Sequence, residues 1–146
     1  MTAATIPAVR LQRTINATPE RVFDAWLDAE ALAKFMRPGP DMTCDAVNDP
    51  RVGGKFLITM MGDKSVHPHT GEYLEIDRPR KLVFTWHSKS TAMASSTVTI
   101  ELEPAAGGKT ELTLTHVGLP ENQVEGHNGG WTAIVNALDD LLKPNA

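Results

Sequence analysis

Lys109-Thr110-Glu111-Leu112-Thr113-Leu114-Thr115-His116-Val117, followed by residues 121–142 with apolar positions at Val124, Trp131, Ile134, Val135, Leu138, Leu141 and Leu142, decides the fold. In the first stretch Leu112 and Leu114 alternate with polar neighbours, the period of a half-buried strand, and His116 continues their face. In the second the apolar spacing widens to three and four residues, the period of an amphipathic helix, with His127 in the same stripe. Pro120 stands at its start and Pro144 just beyond its end. Together they predict a sheet packed on one long C-terminal helix. Gly126, Gly129 and Gly130 weaken the first half of that helix, so either the missing side chains serve something there or the helix starts later than Glu121.

Upstream, period-two segments recur at 69–77, 81–86 and 95–103. They are bounded by the turn signals Asp77-Arg78-Pro79 and Pro104 to Gly108. Phe56, Ile58 and Met60 share one face of a strand that opens with Gly53-Gly54 and closes at Met61-Gly62-Asp63, and another strand lies just after Met42. Residues 9–15 form the first strand, with Val9, Leu11 and Ile15 set among polar residues. Next, Thr18 caps, Pro19 takes the first helical position and Glu20 suits the positive end of a short helix whose Val22, Phe23, Trp26 and Leu27 share a face. A second short helix over 29–34 stops before Phe35-Met36-Arg37-Pro38-Gly39-Pro40. The predicted class is α+β, helix-grip: a curved antiparallel sheet of about seven strands around a long C-terminal helix, with two short helices after the first strand.

At 146 residues and 41% hydrophobic content, the chain is expected to fold as one domain, 1–146, around one core. The net charge is −4 and the 14 basic residues do not cluster, which argues against nucleic acid as a partner. Residues 1–7 lack the charged and apolar regions of a secretion signal, and no apolar run approaches membrane-spanning length. The single cysteine, Cys44, requires no oxidising compartment, so a cytoplasmic location is expected.

Several words of the sequence, in order, resemble one family. They are Asp49-Pro50-Arg51-Val52-Gly53-Gly54-Lys55-Phe56, then Gly71 to Pro79, Leu82-Val83-Phe84-Thr85-Trp86, Thr110 to His116 and His127-Asn128-Gly129-Gly130-Trp131. The family is named for homology to the activator of the heat-shock-protein-90 ATPase, within the START-like (SRPBCC, birch-pollen-allergen-like) superfamily. The resemblance implies a cavity between sheet and helix, used across the superfamily to hold lipids, hormones, polyketides and other apolar molecules. Two features depart from the pattern. Phe35-Met36 stands where the family often has a tryptophan pair, and the additional N-terminal domain of the chaperone activator has no counterpart in these residues.

Phe56, Ile58, Met60, Phe84, Trp86, Trp131 and Ile134 are expected to converge on the helix, either as plain core or as the apolar wall of a small-molecule site. His116 and His127 are expected to face the same space. They could hold the polar end of a ligand or shuttle a proton, or they could be satisfied structural histidines. Tyr73 and Glu75 share a strand face; if that face is inward Glu75 is a ligand anchor, and if Leu74 and Ile76 are the buried pair it is solvated. His67-Pro68-His69 has a metal-like spacing, but Pro68 and Asp63-Lys64-Ser65 point to a loop, and no third ligand is near. Asp49, Arg51 and Gly53-Gly54 read as a turn. Cys44 reads as a small buried residue rather than a nucleophile, since no base lies near it in sequence. No nucleophile elbow, phosphate loop, dinucleotide fingerprint or metalloprotease motif is present, so no cofactor and no metal are expected. The leading expectation is therefore a binder of a small apolar or amphipathic molecule. An aromatase- or cyclase-like enzyme using the same cavity, and a chaperone-interacting or regulatory domain, are the alternatives.

Overall fold

The computed structural model describes residues 8–37, 41–88 and 96–143. In chain order the elements are β1 (Ala8–Ile15), α1 (Pro19–Leu27), α2 (Ala29–Phe35), β2 (Thr43–Asn48), β3 (Lys55–Met61) and β4 (Val66–Asp77). These are followed by β5 (Lys81–Trp86), β6 (Ser96–Ala105), β7 (Lys109–Val117) and α3 (Val124–Leu142). The seven strands make one antiparallel sheet in the order β1-β7-β6-β5-β4-β3-β2, with α3 packed against it, so the chain is α+β of the helix-grip kind.

Local chemistry accounts for the element ends. Thr18 accepts a hydrogen bond from the Arg21 backbone N–H at 3.4 Å, and Pro19 follows it at the first helical position. The Asn48 side chain donates to the Leu27 carbonyl at 2.7 Å, satisfying an acceptor in the last turn of α1. Gly53, in the turn between β2 and β3, has φ +83°, a conformation that favours glycine. At Gly71 a Cβ would stand 2.0 Å from the Thr85 carbonyl oxygen and 2.4 Å from the Phe56 ring, so its absence lets that ring lie across β4.

The alternating inward positions Leu82, Phe84 and Trp86 of β5, Val98, Ile100 and Leu102 of β6, and Leu112, Leu114 and His116 of β7 are all buried. Against them α3 sets Trp131, Ile134, Val135 and Leu138. Its far end is tied to the chain after β1: the Asp139 carboxylate accepts from the Asn16 backbone N–H at 2.8 Å and from its side chain at 3.1 Å, with Arg13 at 3.6 Å.

Two elements, β4 and α3, differ from the simplest sequence expectation. β4 begins at Val66, so His67-Pro68-His69 is strand and not loop. There β4 pairs with β3 alone, Pro68 opposite Thr59, and pairing with β5 starts only at the Thr70–His87 bridge, so the absent N–H of Pro68 does not interrupt a ladder on both sides. The register of β4 shifts between Tyr73 and Glu75. That bulge puts Tyr73 and Ile76 on the Phe84 and Leu82 side and turns Glu75 outward, which simple alternation does not foresee. Finally, Glu121–Gln123 form a 3-10 turn and α3 proper starts at Val124, the later start that the glycines allowed for. The bend at Pro38-Gly39-Pro40, the strand start at Ser95 and the stop at Pro144 lie outside the described residues.

Candidate functional site

A cavity of about 260 Å³ lies between the sheet and the first half of α3. Its sheet wall is Met60 on β3, His69 on β4 and Trp86 on β5; its helix wall is His127, Trp131 and Ile134, with Gln123, Gly126 and Gly130 completing it. Gly126, Gly130 and Ile134 follow one another at intervals of four, so they run along one line of the helix. A Cβ at Gly126 would meet nothing within 4 Å, so no packing in the protein requires glycine there. The missing side chain keeps the wall thin where the cavity lies.

Two tryptophans and two histidines are among the lining residues. The ring centres of Trp86 and Trp131 are 5.0 Å apart, and His69 packs on Trp86 at 4.7 Å with its ring tilted by 30°. None of the lining residues is Asp, Glu, Lys or Arg. The cavity therefore favours uncharged, ring-like contents with a few directed hydrogen bonds.

The three histidines near this space are bonded differently. His116 is completely buried. Trp131 donates its indole N–H to His116 Nδ1 at 2.9 Å, so the ring proton sits on Nε2, which donates to the Ser96 hydroxyl at 2.8 Å. That hydroxyl in turn donates to the Trp86 carbonyl. Both nitrogens are thus engaged, and burial, with His127 adding repulsion, pushes the pKa down to about 3. His116 holds α3 to β5, β6 and β7 as a neutral imidazole and cannot relay a proton without breaking those bonds.

His127, one turn before Trp131, is half-buried, and its ring meets that of His116 edge-on at 5.4 Å. Its Nδ1 lies 2.8 Å from the Gln123 carbonyl oxygen. A carbonyl only accepts, so Nδ1 carries a proton, and in the neutral ring Nε2 is then the acceptor. His69 is buried, and its Nδ1 finds no partner of hydrogen-bonding geometry. Burial lowers its pKa to about 4, against partial opposition from the His67 and Ile58 carbonyls.

The structure brings Met60, Trp86, His127, Trp131 and Ile134 together around the cavity. Phe56, Ile58, Tyr73 and Phe84 are buried elsewhere on the same sheet face, around a void of about 10 Å³ that has room for one water at most. There the Tyr73 hydroxyl accepts from Asn48 at 3.1 Å, and burial raises its pKa. His116 sits behind the cavity wall. Glu75 is exposed, 3.8 Å from Lys81, and is not brought to the cavity. The lining residues that sequence reasoning missed are His69, Gln123, Gly126 and Gly130. His69 shares the parity of Tyr73 and Gly71, a signal that Pro68 overrode. Burial, with Asp45 adding repulsion, pushes the Cys44 thiol up to about 11, which disfavours the reactive thiolate. Among the described residues no three His, Cys, Asp or Glu side chains are grouped to hold a metal. Nor, among them, is any helix long and apolar enough to cross a membrane.

A family model described as "Activator of Hsp90 ATPase homolog 1-like protein" matches residues 16–143. No curated protein matches the chain. Among solved structures, protein CV1439 from Chromobacterium violaceum superposes with a TM-score of 0.87 at 29% identity, covering 95% of this chain and 99% of that one. PFC0360w, an HSP90 activator from Plasmodium falciparum, gives 0.74 at 28% identity over 92% and 96% of the two chains. Protein NE0264 from Nitrosomonas europaea gives 0.78 at 25% identity over 92% and 93%.

Proposed function

The chain belongs to the activator of Hsp90 ATPase homolog 1-like family, and we propose that it binds a small hydrophobic or amphipathic molecule in the cavity between its sheet and the first half of α3. The observation that carries this reading is the cavity itself: about 260 Å³, walled by the buried Met60, His69, Trp86, Trp131 and Ile134. That is roughly the space of nine waters at ~30 Å³ each, near the lower end of small-molecule sites. A broader hollow of about 480 Å³ on the outer face is lined by Lys55, Thr70, Glu72, Leu74 and neighbouring strand residues. Lys55, Thr70 and Leu74 are exposed there, and Lys55 and Glu72 put formal charge into its lining, which the cavity beside α3 lacks.

Native mass spectrometry of protein purified from its own host, followed by solvent extraction, tests the proposal. One equivalent of a specific apolar molecule per chain is the expected result. Protein that arrives empty and takes up no small apolar compound overturns it.

A second reading, action on an Hsp90-type chaperone, is favoured by the family description and by the 28%-identical Plasmodium activator. The exposed Val47 and Leu57, paired across β2 and β3, would then lie at the contact. An unchanged chaperone ATPase rate on addition of the purified protein removes that reading.

A further inference from the structure

We infer that the ligand presents a hydrogen-bond donor, such as a phenol-type hydroxyl, to Nε2 of His127, and that its body is a flat, uncharged ring system of one or two fused rings. The inference rests on the binding reading above and deepens it. Three observations carry it.

First, the direction of the polar contact is fixed by the protein. The His127 proton is held on Nδ1 by the Gln123 carbonyl at 2.8 Å, so a neutral imidazole offers the cavity only an acceptor. Nε2 makes no hydrogen bond within the described residues. The Gln123 side-chain amide can donate or accept, as can the two nitrogens of the neutral His69 ring, so neither discriminates; His127 does.

Second, the walls carry no formal charge to pair with an ion. The lining holds no Asp, Glu, Lys or Arg, and desolvating an unpaired anion or cation there would be costly. Third, the shape follows from the rings. Trp86 and Trp131 stand 5.0 Å apart at 53° on adjoining walls, and the His69 ring backs onto Trp86 at 4.7 Å. Indole faces of this kind are best covered by another flat π system. The space of about nine waters takes a body of one or two rings.

The test uses four probes on the full chain at pH 8: 2-naphthol, 2-methoxynaphthalene, naphthalene and 2-naphthoate. The methyl ether keeps the oxygen but not the proton, naphthalene removes both, and naphthoate adds a charge. Binding is followed by NMR titration of the indole N–H signals of Trp86 and Trp131, which places any probe against the predicted walls.

The expected result is that 2-naphthol binds at least tenfold more tightly than the other three, because a site built around one acceptor rejects analogues that cannot donate to it. In His127→Phe and His127→Leu that ratio should fall to near one, while naphthalene still shifts both indole signals. Equal binding of 2-naphthol and its methyl ether overturns the inference alone, as does a preference for naphthoate or an unchanged ratio in both variants. If no probe shifts either indole, the cavity reading fails and this inference with it. The wild-type ratio needs no variant, so a variant that folds poorly leaves the test intact.

Discussion

The two halves of α3 are built differently. From Trp131 onward the helix is anchored: Trp131, Ile134, Val135, Leu138 and Asp139 are buried, and Asp139 is bonded to Asn16. Before Trp131 it carries Gly126, Gly129 and Gly130, and Gly126 and Gly130 border the cavity. One half holds the fold together and the other walls a space, with His116 and Trp131 as the joint between them. A helix that only needed to be stable would not place three glycines in its first two turns.

The largest test of this contrast is Leu138→Ala. Leu138 is fully buried, and its truncation should cost about 2–5 kcal/mol in urea unfolding. A loss under 1 kcal/mol would mean that the second half is not the anchor.

The joint itself is tested by acid. An unfolded His116 or His69 takes up a proton near the ordinary histidine pKa of about 6.5. The folded chain refuses it until about pH 3 for His116 and about pH 4 for His69. The unfolded state therefore binds more protons in that window. Stability is complete above about pH 6.5 and declines as the pH falls, by about 1.4 kcal/mol per pH unit for each histidine. Urea titrations at pH 7.5, 6 and 5 should show this slope, roughly halved in His69→Phe. A flat profile would mean that both rings are solvated in solution.

The smallest effect has the opposite sign. Gly126→Ala should stabilise the protein by about 0.5–1 kcal/mol, because alanine favours the helix and its Cβ meets no neighbour. The same change should weaken uptake of small apolar molecules by narrowing the cavity. Destabilisation in a thermal melt would show that the first half is packed after all.

Most of the architecture could be read from periodicity because most of it is local. β5 and β7 occupy the predicted residues, and Thr18 caps where expected. What failed depended on partners distant in sequence. Pro68 argued against a strand until the structure showed β4 pairing there with β3 alone. The Tyr73/Glu75 bulge flips the face of Glu75, and alternation along one strand carries no trace of it. The inward direction of His116 was legible from Leu112 and Leu114, but the Trp131 and Ser96 bonds that keep it neutral come from residues 15 positions later and 20 earlier. The glycines in α3 signalled that something needed the space, without saying that the space was a cavity.

The sheet order has a consequence for how the molecule assembles. Neighbours from β2 through β7 are consecutive in sequence, so each can add to the last as a hairpin. β1 is the exception: Gln12 meets Thr113, 101 residues away. Loop length alone makes that closure cost about 4 kcal/mol, which should delay the docking of β1 until β7 is in place. β7 then waits with one edge bare, and pulse-labelled hydrogen exchange should find the amides of β1 among the last to gain protection.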